Sequence, residues 1–290
     1  MSEILTRVAP GGTSVEPGFV LVDDGLSARV DPASPATIRA YVPARDPIAA
    51  DAAAAEAERG LDHLRAFELR PIGPLRKRPV DEADWAEAWK RHFPVTRIGR
   101  RIVLRPSWRR HRAAVGDVVV ALDPGMAFGT GLHPTTRLCL QALESLEARG
   151  RLQGARVLDV GCGSGILSVA AVGLGAASVL GVDIDPMAIE ATLANARRNR
   201  RSRAVRARLG SLPSGEPPFD VVAANLIASV LVTLAPGLAS ELQPGGAVVA
   251  SGIFRDREAD VHEAFAAAGL EVTGRLASDD WLALEAVRTG

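Results

Sequence analysis

The chain has 290 residues, 47% of them hydrophobic, with 34 basic and 34 acidic side chains. That length fits one large domain or a large and a small one, with ample material for a core. A net charge of zero excludes steering of the whole chain to nucleic acid or membrane by bulk charge. The two cysteines, Cys139 and Cys162, lie far apart without metal-ligand spacing, so no metal is expected and both read as buried hydrophobes of a reducing compartment. No apolar signal region opens the chain. The run Gly165–Val182 is long enough to suggest a membrane span, but its four glycines and two serines divide it into a short helix and a strand. A cytoplasmic protein without membrane contact is expected.

Residues 1–80 read as a small α+β module. Ser2–Val8 reads as the end of a helix closed by Pro10-Gly11-Gly12, and Phe19–Val22 and Thr37–Val42 as strands. Asp51–Phe67 reads as a helix with Asp51 as N-cap and an apolar stripe of Leu61, Leu64 and Phe67; Leu69–Ile72 would be a third strand. Asp81–Phe93 is a further helix, capped by Asp81. Its Trp85 and Trp89 share a face, which reads as a docking surface between domains rather than a ligand box. Arg101–Leu104 and Asp117–Leu122 follow as strands, and the basic run Trp108–Arg112 between them reads as a solvated face.

Asp123–Thr136, DPGMAFGTGLHPTT, is a glycine-rich loop carrying Phe128 and His133 into the helix Thr135–Ala148. Glycine-rich loops are costly to order and often exist to approach a ligand; an ordinary connection is the plainer reading. It leaves unexplained Thr135 and Thr136 at a helix start, where hydroxyls and free N–H groups point the same way. In Val157–Leu167, VLDVGCGSGIL, a buried strand carrying Asp159 runs into a turn with Gly161, Gly163 and Gly165, then into a helix from about Ile166. Such a turn lets backbone N–H groups close on a ligand at a helix N-terminus. The next strand, Ser178–Val182, ends in Asp183, at the spacing of an acid that bonds a ribose. The glycines run GxGxG rather than the GxGxxG of dinucleotide sites. A doubly wound domain with an empty crevice is the plain alternative.

Asp185-Pro186 opens a helix to about Asn199, followed by seven arginines between Arg197 and Arg208. Contact with RNA is one reading of that run. Its place between a helix C-terminus and a strand start, opposite the strand carboxyl ends, favours a solvated face. Val205–Leu209, Phe219–Ala223 and Ala247–Ser251 read as strands, Ala228–Leu242 and Arg257–Ala268 as helices, and Leu270–Leu276 with Trp281–Val287 as a hairpin. Pro244-Gly245-Gly246 would close the first of these helices. Asn225 ends the strand after Phe219, a further polar residue at a carboxyl end. The C-terminal part thus reads as five βα steps and a closing antiparallel pair.

Several motifs together resemble one family: Trp85-Ala-Glu-Ala-Trp-Lys90, Arg105-Pro-Ser-Trp108, Asp123-Pro-Gly-Met-Ala-Phe-Gly-Thr-Gly131, His133-Pro-Thr-Thr136, Asp159-Val-Gly-Cys-Gly-Ser-Gly165, Gly181-Val-Asp-Ile-Asp-Pro186, Ala224-Asn-Leu226 and Ser251-Gly-Ile253. They are similar to the PrmA-type methyltransferases of ribosomal protein L11. The resemblance runs from about residue 80 to the end and more weakly before that. It implies an α/β fold, a Rossmann-like class I methyltransferase with a seven-stranded sheet, behind a small N-terminal α+β domain of ferredoxin-like type. The implied organisation is residues 1–80 for substrate recognition, 81–94 as linker helix and 95–290 as the methyltransferase domain. The implied activity is transfer of methyl groups from S-adenosylmethionine to lysine side chains and the N-terminal amine of ribosomal protein L11.

The implied cofactor contacts are Thr136, Gly161, Asp183 and Asn225, with Gly163, Asp159 and Phe128 beside them. Asp183 would take the ribose hydroxyls, Gly161 and Gly163 would admit the methionyl part, Asp159 would lie near its ammonium, and Thr136 would hold it from the opposite side. Asn225 would aim the incoming amine, and His133 would either take up its proton or brace the loop. A monomer is expected, without membrane or sequence-specific nucleic acid partners. The chain departs from the family pattern at Met1–Arg7, which reads as half of a helix without its preceding strand, and at Ser211, where relatives in the superfamily carry an acid for the adenine amine. A class I methyltransferase acting on another protein, an RNA or a small molecule is the alternative within the fold, and a non-catalytic sensor the alternative outside it.

Overall fold

The computed structural model describes residues 5, 13–16, 19–22, 27–30, 37–40, 47–65, 72–77, 94–122 and 133–290. The chain divides into two compact units, Met1–Lys90 and Arg91–Gly290. The expected helix over 81–93 and the loop 123–132 with Phe128 lie outside the described residues.

In the first unit, β1 (Thr13–Glu16) pairs antiparallel with β4 (Thr37–Ala40), and β2 (Phe19–Val22) with β3 (Ser27–Val30). Helix α1 spans Pro47–Arg65 and buries Ala57 and Leu61. It begins four residues before the expected start. Pro47 can open a helix because the first N–H has no intrahelical partner to lose, which leaves Asp51 in the second turn, paired with Lys77 at 2.8 Å. Strands β1 and β3 were not legible as strands; of the expected strand Leu69–Ile72 only Ile72 is among the described residues, in irregular chain.

The second unit opens with a three-stranded sheet of β5 (Thr96–Ile98), β6 (Ile102–Pro106) and β7 (Val118–Leu122), antiparallel then parallel. Helix α2 (Pro134–Ala148) holds the β5–β6 turn: buried Glu144 accepts from the N–H groups of Arg100, Arg101 and Ile102 at 2.6, 2.6 and 3.1 Å. Then follow β8 (Arg156–Val160), α3 (Ile166–Gly173), β9 (Ser178–Asp183), α4 (Pro186–Arg198), β10 (Val205–Leu209), β11 (Phe219–Asn225), α5 (Ala228–Ser240), β12 (Leu242–Phe254), α6 (Glu258–Ala267), β13 (Leu270–Ser278) and β14 (Trp281–Arg288). Asn199 is the C-cap of α4, and its side chain clasps the edge of β7, accepting from Ala121 N at 2.8 Å and donating to Ala121 O at 2.7 Å.

The seven strands β8 to β14 form one sheet in the order β10-β9-β8-β11-β12-β14-β13, with β14 running against its neighbours. The order reverses between β8 and β11, and ligands of such sheets bind outside the carboxyl ends at that switch. Side-chain alternation along β8 sorts the core into two layers. Val157 packs with buried residues of α2 and α3, such as Leu143 and Val169. Leu158 and Val160 pack with Leu231, Leu238 and Phe265 of α5 and α6.

The step from β10 to β11 has no helix: residues 210–218 include Pro213, Gly215, Pro217 and Pro218, which leave no uninterrupted turn of good helix formers. One expectation needs correction. Strand β12 starts earlier than Ala247. Leu242 pairs with Phe219 and Ala247 with Val221, so Pro244-Gly245-Gly246 forms part of a bulge within a strand rather than a helix end.

Candidate active site

A cavity of about 340 Å3 opens at the switch point, lined by Thr136, the turn residues from Gly161 to Ser164, Asp183, Gly210, Ser211, Asn225 and Leu226, with Ile184, Val230 and Leu234 as apolar walls. Helix α4 builds its floor. Thr192 Oγ1 donates to Gly163 O at 3.0 Å and Asn195 Nδ2 donates to Ser164 O at 2.8 Å. The turn's own N–H groups are tied as well: Gly161 and Cys162 donate to Val182 O at 2.8 and 3.1 Å and Gly165 to Cys162 O at 2.7 Å, so the turn is rigid before any ligand arrives. Thr192 and Asn195 are three apart and therefore share a helix face. That buried polar pair in a helix of alanines and arginines is a signal the sequence reading missed.

Asp183 stands at the carboxyl end of β9. Its Oδ2 accepts from Gly163 N at 2.9 Å and its Oδ1 from Asp185 N at 3.0 Å. Each carboxylate oxygen keeps a further acceptor site, so the group is oriented before any hydroxyl arrives. At the end of β11, the neighbour of β8, Asn225 Nδ2 donates to Thr136 Oγ1 at 3.3 Å. Thr136 is fully buried at the start of α2. That bond uses one N–H of the amide and orients the group, whose oxygen remains an acceptor.

Two glycines fix the segment that carries Asn225. At Gly161 (φ 71) a Cβ would lie 2.5 Å from Leu226 Cδ2, and at Gly252 (φ 90) one would lie 2.1 Å from Leu226 O. The side chain and the backbone of Leu226 thus occupy space that any other residue at 161 or 252 would fill, and both backbones are left-handed.

Asp159 is placed differently from the expectation that it reaches the ligand. It is buried on the α2–α3 side of β8 and does not line the cavity. Its Oδ2 accepts from Ser168 N at 3.0 Å and Ser168 Oγ at 2.6 Å, so it fastens β8 to helix α3. Burial pushes its pKa up to about 6, against the lowering effect of the Ser168 bonds, and the charge of Asp183 adds to the rise. Its Oδ1 is buried with no hydrogen-bond partner among the described residues.

His133 is placed as a brace. It is the N-cap of α2, with Nδ1 2.8 Å from Thr135 Oγ1, and its ring meets Trp281 edge to face at 4.9 Å. It does not line the cavity. The structure therefore gathers Thr136, Gly161, Gly163, Asp183 and Asn225, sets Asp159 and His133 behind the walls, and leaves Phe128 outside the described residues.

The lining fits an S-adenosylmethionine-type ligand: a ribose acceptor in Asp183, glycines without side chains that leave room for the methionyl part, and the apolar face of Ile184, 81% exposed at the rim, for a flat ring. Ser211 lines the same cavity.

A sheet of this order with one reversed strand, bearing this cavity at its switch point, defines a class I S-adenosylmethionine-dependent methyltransferase. Residues 19–289 match the family described as ribosomal protein L11 methyltransferase (PrmA). A ribosomal protein L11 methyltransferase of Chloroflexus aurantiacus is 43% identical over 312 residues, covering 98% of this chain and 92% of the relative. One of Geobacter metallireducens is 40% identical over 287 residues, with the same coverage. The crystal structure of a ribosomal protein L11 methylase from Lactobacillus delbrueckii subsp. bulgaricus superimposes with a TM-score of 0.63 at 32% identity, over 68% of this chain and all of that one. The chain belongs to the ribosomal protein L11 methyltransferase (PrmA) family.

Proposed function

We propose that the chain transfers methyl groups from S-adenosylmethionine to lysine side chains and the N-terminal amine of ribosomal protein L11, as a cytoplasmic monomer. The observation that carries this reading is the placing of Asp183 and Asn225 on one cavity. The bound sulfonium supplies a methyl group on a good leaving group, so the protein has to align and desolvate the reactants. Asp183 takes the ribose hydroxyls, and Thr136 holds Asn225 in place. Lining the same cavity, the Asn225 oxygen accepts an N–H of the incoming amine and so aims its lone pair along the transfer line.

The amine must arrive neutral. Deprotonating a lysine of pKa about 10.4 at neutral pH costs roughly 4–5 kcal/mol. Burial beside a cationic sulfur lowers that pKa by desolvation and like charge. Asp159 and His133 take no direct part: the first ties the glycine turn's strand to α3, and the second caps α2 beneath Thr136. Residues 1–80 are assigned to gripping the protein substrate and residues 81–94 to the linker.

The test is incubation of the purified enzyme with L11 and labelled S-adenosylmethionine, followed by mass mapping of the product. Label on lysines and the N-terminal amine supports the assignment. Label on RNA or small molecules in a cell extract, with L11 unlabelled, would replace it.

A further inference from the structure

Two arginine-rich segments that read separately as solvated faces are both tied to strand β7. Residues 191–215 hold seven arginines and no acid, and residues 101–116 hold five arginines, one histidine and no acid. Both are moored to the end of β7. Ser107 N donates to Leu122 O at 2.7 Å, and Asn199 clasps Ala121, the neighbouring residue. The turn after α4 and the start of the connection after β6 therefore meet at the carboxyl end of β7, from which the connection returns to the start of that strand, where Ala114 N donates to Asp117 at 2.9 Å; none of the arginines of either turn lines the cavity. Arg110, Arg112, Arg197, Arg200, Arg201 and Arg203 are all exposed and make no ion pair with the described residues. Asp117, on the same connection, is taken by Arg97 at 2.7 Å and faces His111 at 3.7 Å; Glu216 is taken by Arg206 at 3.3 Å and Arg156 at 3.9 Å.

The backbone adds an independent sign. Helices α2, α3 and α6 are each followed, just past the C-cap, by a glycine with positive φ: Gly150 (74), Gly175 (116) and Gly269 (75). Helix α4 puts Arg200 there, at φ 58. Glycine is the ordinary residue for this position because it has no Cβ to clash. A long cation held in that conformation, at the centre of an acid-free segment, is strain kept where a function can use it.

We propose that this face binds RNA through its phosphates, and so holds the enzyme near ribosomal RNA while its other edge acts on the protein substrate. The choice of RNA as the polyanion rests on the ribosomal substrate proposed above; the cation cluster does not. Arginine suits the role because its planar fork pairs with two phosphate oxygens at once. Contacts of this kind carry no sequence information, consistent with a chain whose bulk charge is zero but locally segregated.

The test is fluorescence anisotropy of the full-length protein with a labelled RNA hairpin, across a salt series. The wild type should bind with a steep negative salt dependence. The variant Arg197→Ser/Arg200→Ser/Arg201→Ser/Arg203→Ser should lose about 3 units of log–log slope, and Arg110→Ser/Arg112→Ser about 1.5, at slopes of 0.7–0.9 per contact. Arg200→Gly should weaken binding while its melting temperature stays level or rises. Methylation of free L11 should be unchanged in all three. An unchanged slope in the arginine variants, no RNA binding at low salt, or binding to phosphatidylserine vesicles without binding to RNA would overturn the proposal. RNA binding with no L11 methylation would instead sink the proposed function and leave this face standing.

Discussion

One wall of the cavity, the glycine turn with Asp183 and the Thr192–Asn195 support, comes from a single βαβα stretch between residues 159 and 195. A second part of the lining draws Thr136 from the start of α2 and Asn225 with Leu226 from the end of β11, and relies on Gly252 of β12 to make room. Local connectivity presets the first wall, because strand, turn and helix can adopt their geometry only together. The second exists only once the sheet has its full strand order. The two walls should therefore fail differently when damaged, the first in holding the cofactor and the second in turnover.

Asp183→Ala puts the sharpest strain on that division. It removes a charged acceptor for two hydroxyls, a loss of about 3–6 kcal/mol at roughly 1.5–3 per charge-assisted bond. Isothermal titration with S-adenosylmethionine should show Kd weakened by at least 100-fold. Asn225→Ala should leave that Kd within about threefold, because the group faces the acceptor, while kcat falls about 100-fold, near the usual cost of one polar group aimed at the reacting atoms. Equal loss of cofactor binding in both variants would erase the distinction between the walls.

Asp159 tests whether the first wall is held from behind. Its native pKa, about 6, lies above the ordinary aspartate value. The native state then binds more protons than the unfolded state between about pH 4 and 6, and this group's contribution to stability falls as pH rises through that window. The span corresponds to about 2–3 kcal/mol. Denaturant melts of Asp159→Asn against wild type should show that fall removed; parallel pH curves would place the carboxylate in a less buried setting. The smallest effect is expected from Thr192→Val, which frees the Gly163 carbonyl. It should cost about 1 kcal/mol of stability and loosen cofactor binding more than it slows turnover at saturation.

The same contrast explains what could be read in advance. The βαβ stretch, with Gly161, Gly163, Gly165 and Asp183, was legible because its signals lie within thirty residues and each has one physical meaning. Asn225 was legible only as a polar residue at a strand end; its bond to Thr136 spans 89 positions and follows from sheet order. The misplaced start of α1 came from preferring an aspartate cap to the proline at Pro47. The polar support from Thr192 and Asn195 was hidden inside a helix that otherwise reads as solvent-facing. For Asp159 the residue type suggested a ligand contact, but strand alternation turns its side chain toward Ser168 and α3.

The clasp of Asn199 on Ala121 has a consequence for the molecule's behaviour in company. Strand β7 is the last of its three-stranded sheet, and an open margin there would offer a donor and an acceptor to any extended peptide that drifts by. A single amide satisfies both, in the manner of a one-residue extra strand. Sticking between copies of the chain is thus discouraged at the very place where its densest positive charge gathers.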